Sequence, residues 1–514
     1  MEAAAIPAPQ AEGPTLKPNA LGFIQNVVIG VASTAPAYSL AATLGFVVAV
    51  AGVGLQAPAV LLVSFVPILF IAAAYKYLNR ADPDCGTSFA WGTRALGPQV
   101  GWLMGWAIIA ADIIVMATLA QIAGKYTFLL FGWDSAANST TAQIIAAVAW
   151  IAIMTWICWR GIELSAITQQ FLLGFEVIVL AVFAVVVLVK VYGGTAGPNA
   201  IKPTLEWFNP FKLSASALAD GVLLGVFIYW GWDSGVAVNE ESEASAEGPG
   251  RAAVVSTVLL LVIYLIVSAA AQAYDGPGLL TKNADDVLSV LGTSAFGSPW
   301  DKLLIFAVLT SASASTQTTI LPTARTSLSM ARWGSIPKYF GKIHPRYLTP
   351  SASTIWMGII SIIWTVVVLA ANPAQNVLGD SISALGFAIC FYYGLTGLAC
   401  VVFFRKELFK SARNLFLAGI VPLLGFLMMG AIFIKAFHDY SKAGFNYSPP
   451  FLGIEVPIAI GIGMLLLGVV LMFVAWIVYP KFFGRRPYIE AGGPGSLDYV
   501  PESHPHELSV PEAT

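Results

Sequence analysis

The stretch FIYWGWDSGVAVNEES, residues 227–242, lies inside a long apolar run yet carries two glycines, a lone aspartate and two adjacent glutamates. A second stretch, FIQNVVIGVASTAPAYSLAATLGF at residues 23–46, has the same plan: apolar, then polar around Ser33, Thr34 and Pro36, then apolar again. Pro36 lacks a backbone N–H and its ring clashes with the carbonyl four residues back, while Gly231 and Gly235 each lower helix preference by about 1 kcal/mol. Both runs are therefore expected to unwind near their middles.

The surrounding composition says what medium these runs occupy. Of 514 residues, 57% are apolar and only 11% are charged, a balance that suits a bilayer and not a water-soluble domain of this length. A hydrocarbon core is crossed by roughly 20 helical residues. Twelve such stretches are expected, at 20–47, 54–78, 99–129, 141–159, 165–191, 217–239, 251–274, 300–330, 352–371, 376–404, 414–437 and 452–479. Their apolar runs are continuous and do not alternate, which predicts an all-α integral membrane protein with twelve transmembrane helices and excludes a barrel.

An unpaired N–H or C=O in hydrocarbon costs several kcal/mol, so a broken helix survives only where it is buried in protein or lines a polar cavity. A polar solute is the expected occupant; proline and glycine kinks used for packing are the alternative. The two breaks lie five spans apart, and an odd offset makes the second block enter from the opposite face. That predicts an inverted repeat of 20–191 against 217–404, followed by spans 11 and 12 at 414–479.

Residues 1–19 are rich in Pro and Ala with no basic start, and read as a disordered cytoplasmic tail; 480–514 read as a second cytoplasmic tail. Of the 26 Lys and Arg, 18 fall on the side of the N-terminus and 8 on the other, so both ends are expected in the cytoplasm, with the spans in the plasma membrane.

Several functions are disfavoured. The four cysteines lack metal-ligand spacing and read as buried thiols, and the four histidines are expected in loops or the tail, so neither a zinc site nor a buried Ser-His couple is assembled. No G-x-x-x-x-G-K-[ST] stretch is present, so the chain holds no nucleotide-driven pump. The net charge of −2 supplies no case for a nucleic acid partner, and no cofactor or metal is implied.

Three stretches together resemble the amino acid, polyamine and organocation transporters: YKYLNRADPDCGTSFAWGTRALGPQVGWLMGW (75–106), FIYWGWDSGVAVNEESEASAEGPGRAA (227–253) and ARTSLSMARWGSIPKYFGKIHPRYLTPSAS (324–353). The likeness runs from about residue 20 to 404. It implies the five-plus-five fold of the bacterial leucine transporter, with spans 1, 2, 6 and 7 rocking against 3, 4, 8 and 9. Many members carry a Gly-Ser-Gly cluster in span 1, where this chain has GVASTAPAYS. The backbone N–H groups of Ser33, Thr34 and Ala35, ahead of Pro36, are still expected to cradle a carboxylate.

An ionised acid at a membrane helix centre costs roughly 2.5–3.5 kcal/mol, so each one is a functional hypothesis. Asp233 follows the glycine of the span 6 break, where the family commonly places an acid or amide near the substrate; the alternative is a carboxylate that caps freed N–H groups. Glu176 lies mid-span in QQFLLGFEVIVLAVF, at a position where some proton-coupled relatives have a lysine. It is a candidate proton carrier, or else a neutral group bonding a neighbouring helix. Asp112 lies on the span 3 wall and is expected either to hold a cationic amine or to anchor its helix. In span 8, Ser311, Ser315 and Thr318 share one face. The resemblance places that face where sodium-coupled relatives hold their ion; close helix packing is the competing reading.

The aromatics Phe227, Tyr229, Trp230 and Trp232 flank the second break, and Phe227 looks like the family's lid over an occupied site. The expected function is a non-enzymatic secondary transporter, monomer or homodimer, taking up an amino acid or small amine with protons. Ser33, Thr34, Ala35, Pro36, Asp112, Phe227, Trp230, Gly231 and Asp233 would bind substrate; Glu176, Ser311 and Ser315 would couple it to a proton or sodium ion. A polyamine or organic cation exchanger, a channel and a substrate-sensing receptor are the alternatives.

Overall fold

The computed structural model describes residues 14–371, 374–442 and 447–484. Most of the two expected tails, 1–13 and 485–514, lies outside the described residues. Among the described residues twelve helices are long and apolar enough to cross a membrane. Spans 1 to 6 are Phe23–Ala49, Gly54–Ala81, Pro98–Leu130, Thr140–Arg160, Ile162–Gly193 and Ala215–Ala237. Spans 7 to 12 are Gly248–Lys282, Lys302–Arg332, Ser351–Ala371, Asn376–Phe403, Ala412–Tyr440 and Val456–Val478.

The bundle sorts its helices by sequence pattern. Span 5 shows how: Ile167, Phe171, Ile178, Val182, Val185 and Val189 are exposed on one face, whereas Gln169, Leu173, Glu176, Leu180 and Phe183 are buried on the other. Helical spacing of three and four residues thus sends the one acid of the stretch inward while its apolar neighbours meet lipid. Spans 1, 3 and 8 are the most enclosed, and span 8 packs along both span 3 and span 5.

Several elements differ from expectation. A nine-residue helix, Ser88–Leu96, lies between spans 2 and 3, and Val287–Phe296 lies between spans 7 and 8. Span 7 is longer than its apolar run, because non-helical Asp275 and Gly276 join a second helical piece to it. Span 11 extends to Tyr440, so His438 sits in a helical last turn and not in a loop; its ring is 71% exposed and holds Asp439 at 3.0 Å.

Candidate functional site

Span 1 is interrupted where the sequence predicts. The first half-helix, Phe23–Ser33, ends at Thr34; Ala35 takes a left-handed conformation (φ 48°, ψ 68°), and Pro36 opens the second half, Pro36–Ala49. A left-handed alanine costs roughly 1–2 kcal/mol. Proline at the first helical position needs no N–H and has its φ already set, so the second half restarts there.

The amides at this break are spent within the protein, which corrects the expectation of an open carboxylate cradle. Thr34 and Ala35 donate back to the carbonyls of Val31 and Ala32 at 3.2 and 3.1 Å. The N–H groups freed at the start of the second half belong to Ala37 and Tyr38. Ala37 donates to Glu176 Oε1 at 2.7 Å and Tyr38 to Ser311 Oγ at 3.1 Å, while Ser311 Oγ donates to the same Glu176 oxygen at 2.8 Å. Glu176 therefore caps a half-helix of another span, with its carboxyl group at the positive end of that half-helix. Its other oxygen, Oε2, is buried with no hydrogen-bond partner among the described residues.

Span 6 unwinds after Tyr229. Trp230 is extended, Gly231 has φ 116°, and helix resumes briefly at Ser234–Ala237. Gly231 also lies against span 1, where a Cβ would come 2.8 Å from the Ser33 carbonyl oxygen. The two breaks meet directly: the hydroxyls of Ser33 and Ser234 are 2.8 Å apart, and Ser315 Oγ of span 8 donates to the Ser33 carbonyl at 2.8 Å. A carbonyl released by the second break, that of Ile228, accepts from Tyr264 OH of span 7 at 2.7 Å.

Asp233 sits at this junction, 7% exposed. Its side chain makes no capping hydrogen bond to the short helix Ser234–Ala237. Tyr393 OH donates to Oδ1 at 2.9 Å, and Tyr392 OH and Tyr75 OH reach Oδ2 at 3.1 and 3.4 Å. Trp230 Nε1 donates to Tyr392 OH at 2.5 Å, and Tyr75 OH lies 2.7 Å from Ser88 Oγ. Sequence reasoning missed all three tyrosines. The one available signal was the adjacent Tyr392–Tyr393 pair inside an apolar run.

The remaining candidates are all buried but do not all converge. Asp112 accepts from Thr323 Oγ1 at 2.5 Å, which anchors span 3 to span 8. Thr323 in turn lines a cavity of about 460 Å³ walled by Trp102, Trp106 and Trp356, apart from the tyrosine cluster. Phe227 is in the last turn of the first half of span 6. Thr318 Oγ1 bonds carbonyls of its own helix, Ala314 and Ser315, and takes no part in the junction.

Beyond Asp233, ion pairs tie the segment that follows span 6 to span 8. Arg325 Nη2 and Glu241 Oε2 are 2.5 Å apart at 2% and 0% exposure, and Arg332 Nη1 holds Glu240 Oε2 at 2.7 Å. Glu240 and Glu241 thus answer arginines of span 8 and not the nearby Arg251. Asp84 accepts from Ser329 Oγ at 2.6 Å and Trp333 Nε1 at 3.0 Å. Asp84, Cys85 and Glu240 bring oxygen and sulfur atoms within 4.8 Å of one another, but the Arg332 guanidinium already neutralises Glu240 there. Burial, with Glu240 adding to it, pushes the Cys85 thiol well above its ordinary value.

Twelve membrane helices, two of them broken at a shared polar junction, define a membrane transporter. The chain belongs to the amino acid permease family, whose profile matches residues 20–455. It is similar to an uncharacterized transporter of Mycobacterium tuberculosis, 24% identical over 79% of this chain and 84% of the relative. The low-affinity putrescine importer of Escherichia coli is 24% identical over 72% and 79% of the two chains. A mitochondrial cationic amino acid transporter of Arabidopsis thaliana is 26% identical over 67% of this chain and 57% of the relative.

Proposed function

We propose that the protein is a secondary active transporter that carries an amino acid or a small organic amine across the plasma membrane by alternating access, with proton-coupled uptake. The single observation that carries this reading is the junction itself: unwound backbone from spans 1 and 6 in contact at Ser33 and Ser234, with the Asp233 carboxylate beside it. Asp233 and the span 6 carbonyls hold the ammonium group, and Trp230 and the three tyrosines fix that carboxylate. Phe227 covers the site. The substrate's other end meets the Ser33 and Ser234 hydroxyls, because the Thr34 and Ala35 amides are engaged in their own turn.

Glu176 is the coupling group in this scheme. Ionised, it grips the Ala37 amide; protonated, most simply on the unpartnered Oε2, it is a weaker acceptor and frees the second half of span 1 to tilt. Ser311 bridges Glu176 and Tyr38, and Ser315 ties span 8 to Ser33. Both hydroxyls are donors to protein oxygens, an arrangement that supports a proton over a sodium ion. Spans 1–5 and 6–10 form the two inverted halves, both chain ends face the cytoplasm, and the protein works as a monomer or homodimer.

A second reading, exchange of polyamines or organic cations, has support from the putrescine importer relative and from two buried acids, Asp112 and Asp233. Uptake into proteoliposomes of labelled amino acids and putrescine, with and without an inward proton gradient, tests both. The main reading expects uphill accumulation that collapses with a protonophore. Gradient-independent counterflow alone would support the exchanger, and discrete single-channel currents would overturn both.

A further inference from the structure

A second polar site, lined by none of the residues of the two breaks, lies at the face that carries most of the Lys and Arg. Lys76 and Arg80 of span 2, Arg251 of span 7 and Arg413 of span 11 line a cavity of about 240 Å³ together with Tyr77 and Glu247. Glu247 pairs with Arg80 at 3.2 Å. Among the described residues no carboxylate pairs with Lys76, Arg251 or Arg413, so the cavity keeps a net excess of three positive charges.

These three cations, none held by a carboxylate and Arg413 bonded to the Tyr77 hydroxyl, each stand at the end of an apolar stripe. Above Arg251 the exposed residues of span 7 include Val255, Val258, Val262 and Ile266, at helical spacing on one face. Above Arg413 those of span 11 include Phe416, Ile420, Leu424 and Leu427. Between them, Leu62, Val66, Leu69 and Ala73 of span 2 are half-buried on the face that ends at Lys76. Span 2 packs against both span 7 and span 11 and forms the floor of this groove.

We propose that this groove binds an anionic phospholipid of the bilayer, with its phosphodiester among Lys76, Arg251 and Arg413 and its acyl chains along the three stripes. The chemistry on both ends supports one amphiphile: guanidinium groups match phosphate oxygens in pairs, and the stripes offer only hydrocarbon. Basic pockets between membrane helices recognise headgroups by the same means. The site is independent of the transport reading and joins two spans of the first ten to span 11.

Native mass spectrometry of the full chain in a neutral detergent tests the proposal, using phosphatidylglycerol, phosphatidylcholine with the same acyl chains, and inorganic phosphate as probes. Phosphatidylglycerol is expected to stay bound, and the other two are not. The double variant Arg251→Gln/Arg413→Gln is expected to bind phosphatidylglycerol about 10- to 30-fold more weakly. Arg251→Lys/Arg413→Lys keeps most of the affinity, and Arg346→Gln, on the same face outside the groove, keeps all of it. Lys76→Gln is a milder second variant should the double one not fold. Equal retention of both lipids, competition by inorganic phosphate as strong as by phosphatidylglycerol, or unchanged binding in the Gln variants would overturn the assignment.

Discussion

Glu176 of span 5 accepts the backbone N–H of Ala37 in span 1 at 2.7 Å, across 139 positions of sequence. A side chain from one helix thus closes the open end of another, and in the proposed coupling scheme a proton on that side chain would be sensed by the broken span. Glu176→Gln retains a carbonyl oxygen for Ala37 but cannot exchange a proton. It should fold normally and transport down a gradient, with uptake flat between neutral and mildly acidic pH. An unchanged pH profile in proteoliposomes would remove Glu176 from the coupling step.

Asp233→Asn keeps an oxygen for the tyrosines and deletes the negative charge. A charged hydrogen bond contributes about 1.5–3 kcal/mol, so the apparent affinity for the amine should fall roughly 10- to 100-fold. Tyr393→Phe, which removes one donor from the carboxylate, should have a smaller effect of the same kind. Ligand-induced shifts in melting temperature across a concentration series measure both.

Gly231→Ala places a methyl at φ 116° and 2.8 Å from the Ser33 carbonyl, with no flexible side chain to yield. Strain alone is worth roughly 1–2 kcal/mol, and the clash adds to it, so the melting temperature and transport should both fall. Gly174→Ala in span 5, where an added Cβ meets no neighbouring atom within 4 Å, is the control and should be neutral to slightly stabilising.

How much of this was legible in the sequence depends on the range of the interaction. Pro36, Gly231 and Gly235 act on their own backbone, so both breaks can be placed from local sequence alone. The burial of Glu176 followed from its apolar flanks. What Glu176 and Asp233 touch did not, because Ala37, Ser311, Tyr75, Tyr392 and Tyr393 come from other spans. The Thr34 and Ala35 amides were misjudged for a local reason: a tight turn, unlike a clean helix end, bonds its own N–H groups. The partner of Glu241 was equally out of reach, because Arg325 is 84 residues away.

Arg325→Gln leaves the Glu241 carboxylate buried without its cation, a loss of about 3–5 kcal/mol. The paired replacement Arg325→Met/Glu241→Met removes both charges and should recover most of that stability. Denaturation midpoints of the three proteins form the test, and a single variant as stable as the parent would show that the Glu241 carboxylate does not depend on Arg325.

Cys85 lies beside the second of these ion pairs, Arg332–Glu240. It is fully buried, and burial with Glu240 holds its thiol well above the ordinary value, so alkylation at neutral pH should be slow. Arg332→Gln removes a cation that lowers the thiol pKa and leaves Glu240 unopposed beside it, so modification should slow further when read by mass spectrometry. Equal rates would mean that the thiol is shielded by packing alone.

The most direct measurement is a cryo-electron microscopy map of the protein saturated with a transported amine. The two-break account predicts ligand density between residues 33–36 and 230–234, with the ammonium beside Asp233. Density at another place, or continuous helices through both of these segments, would contradict it.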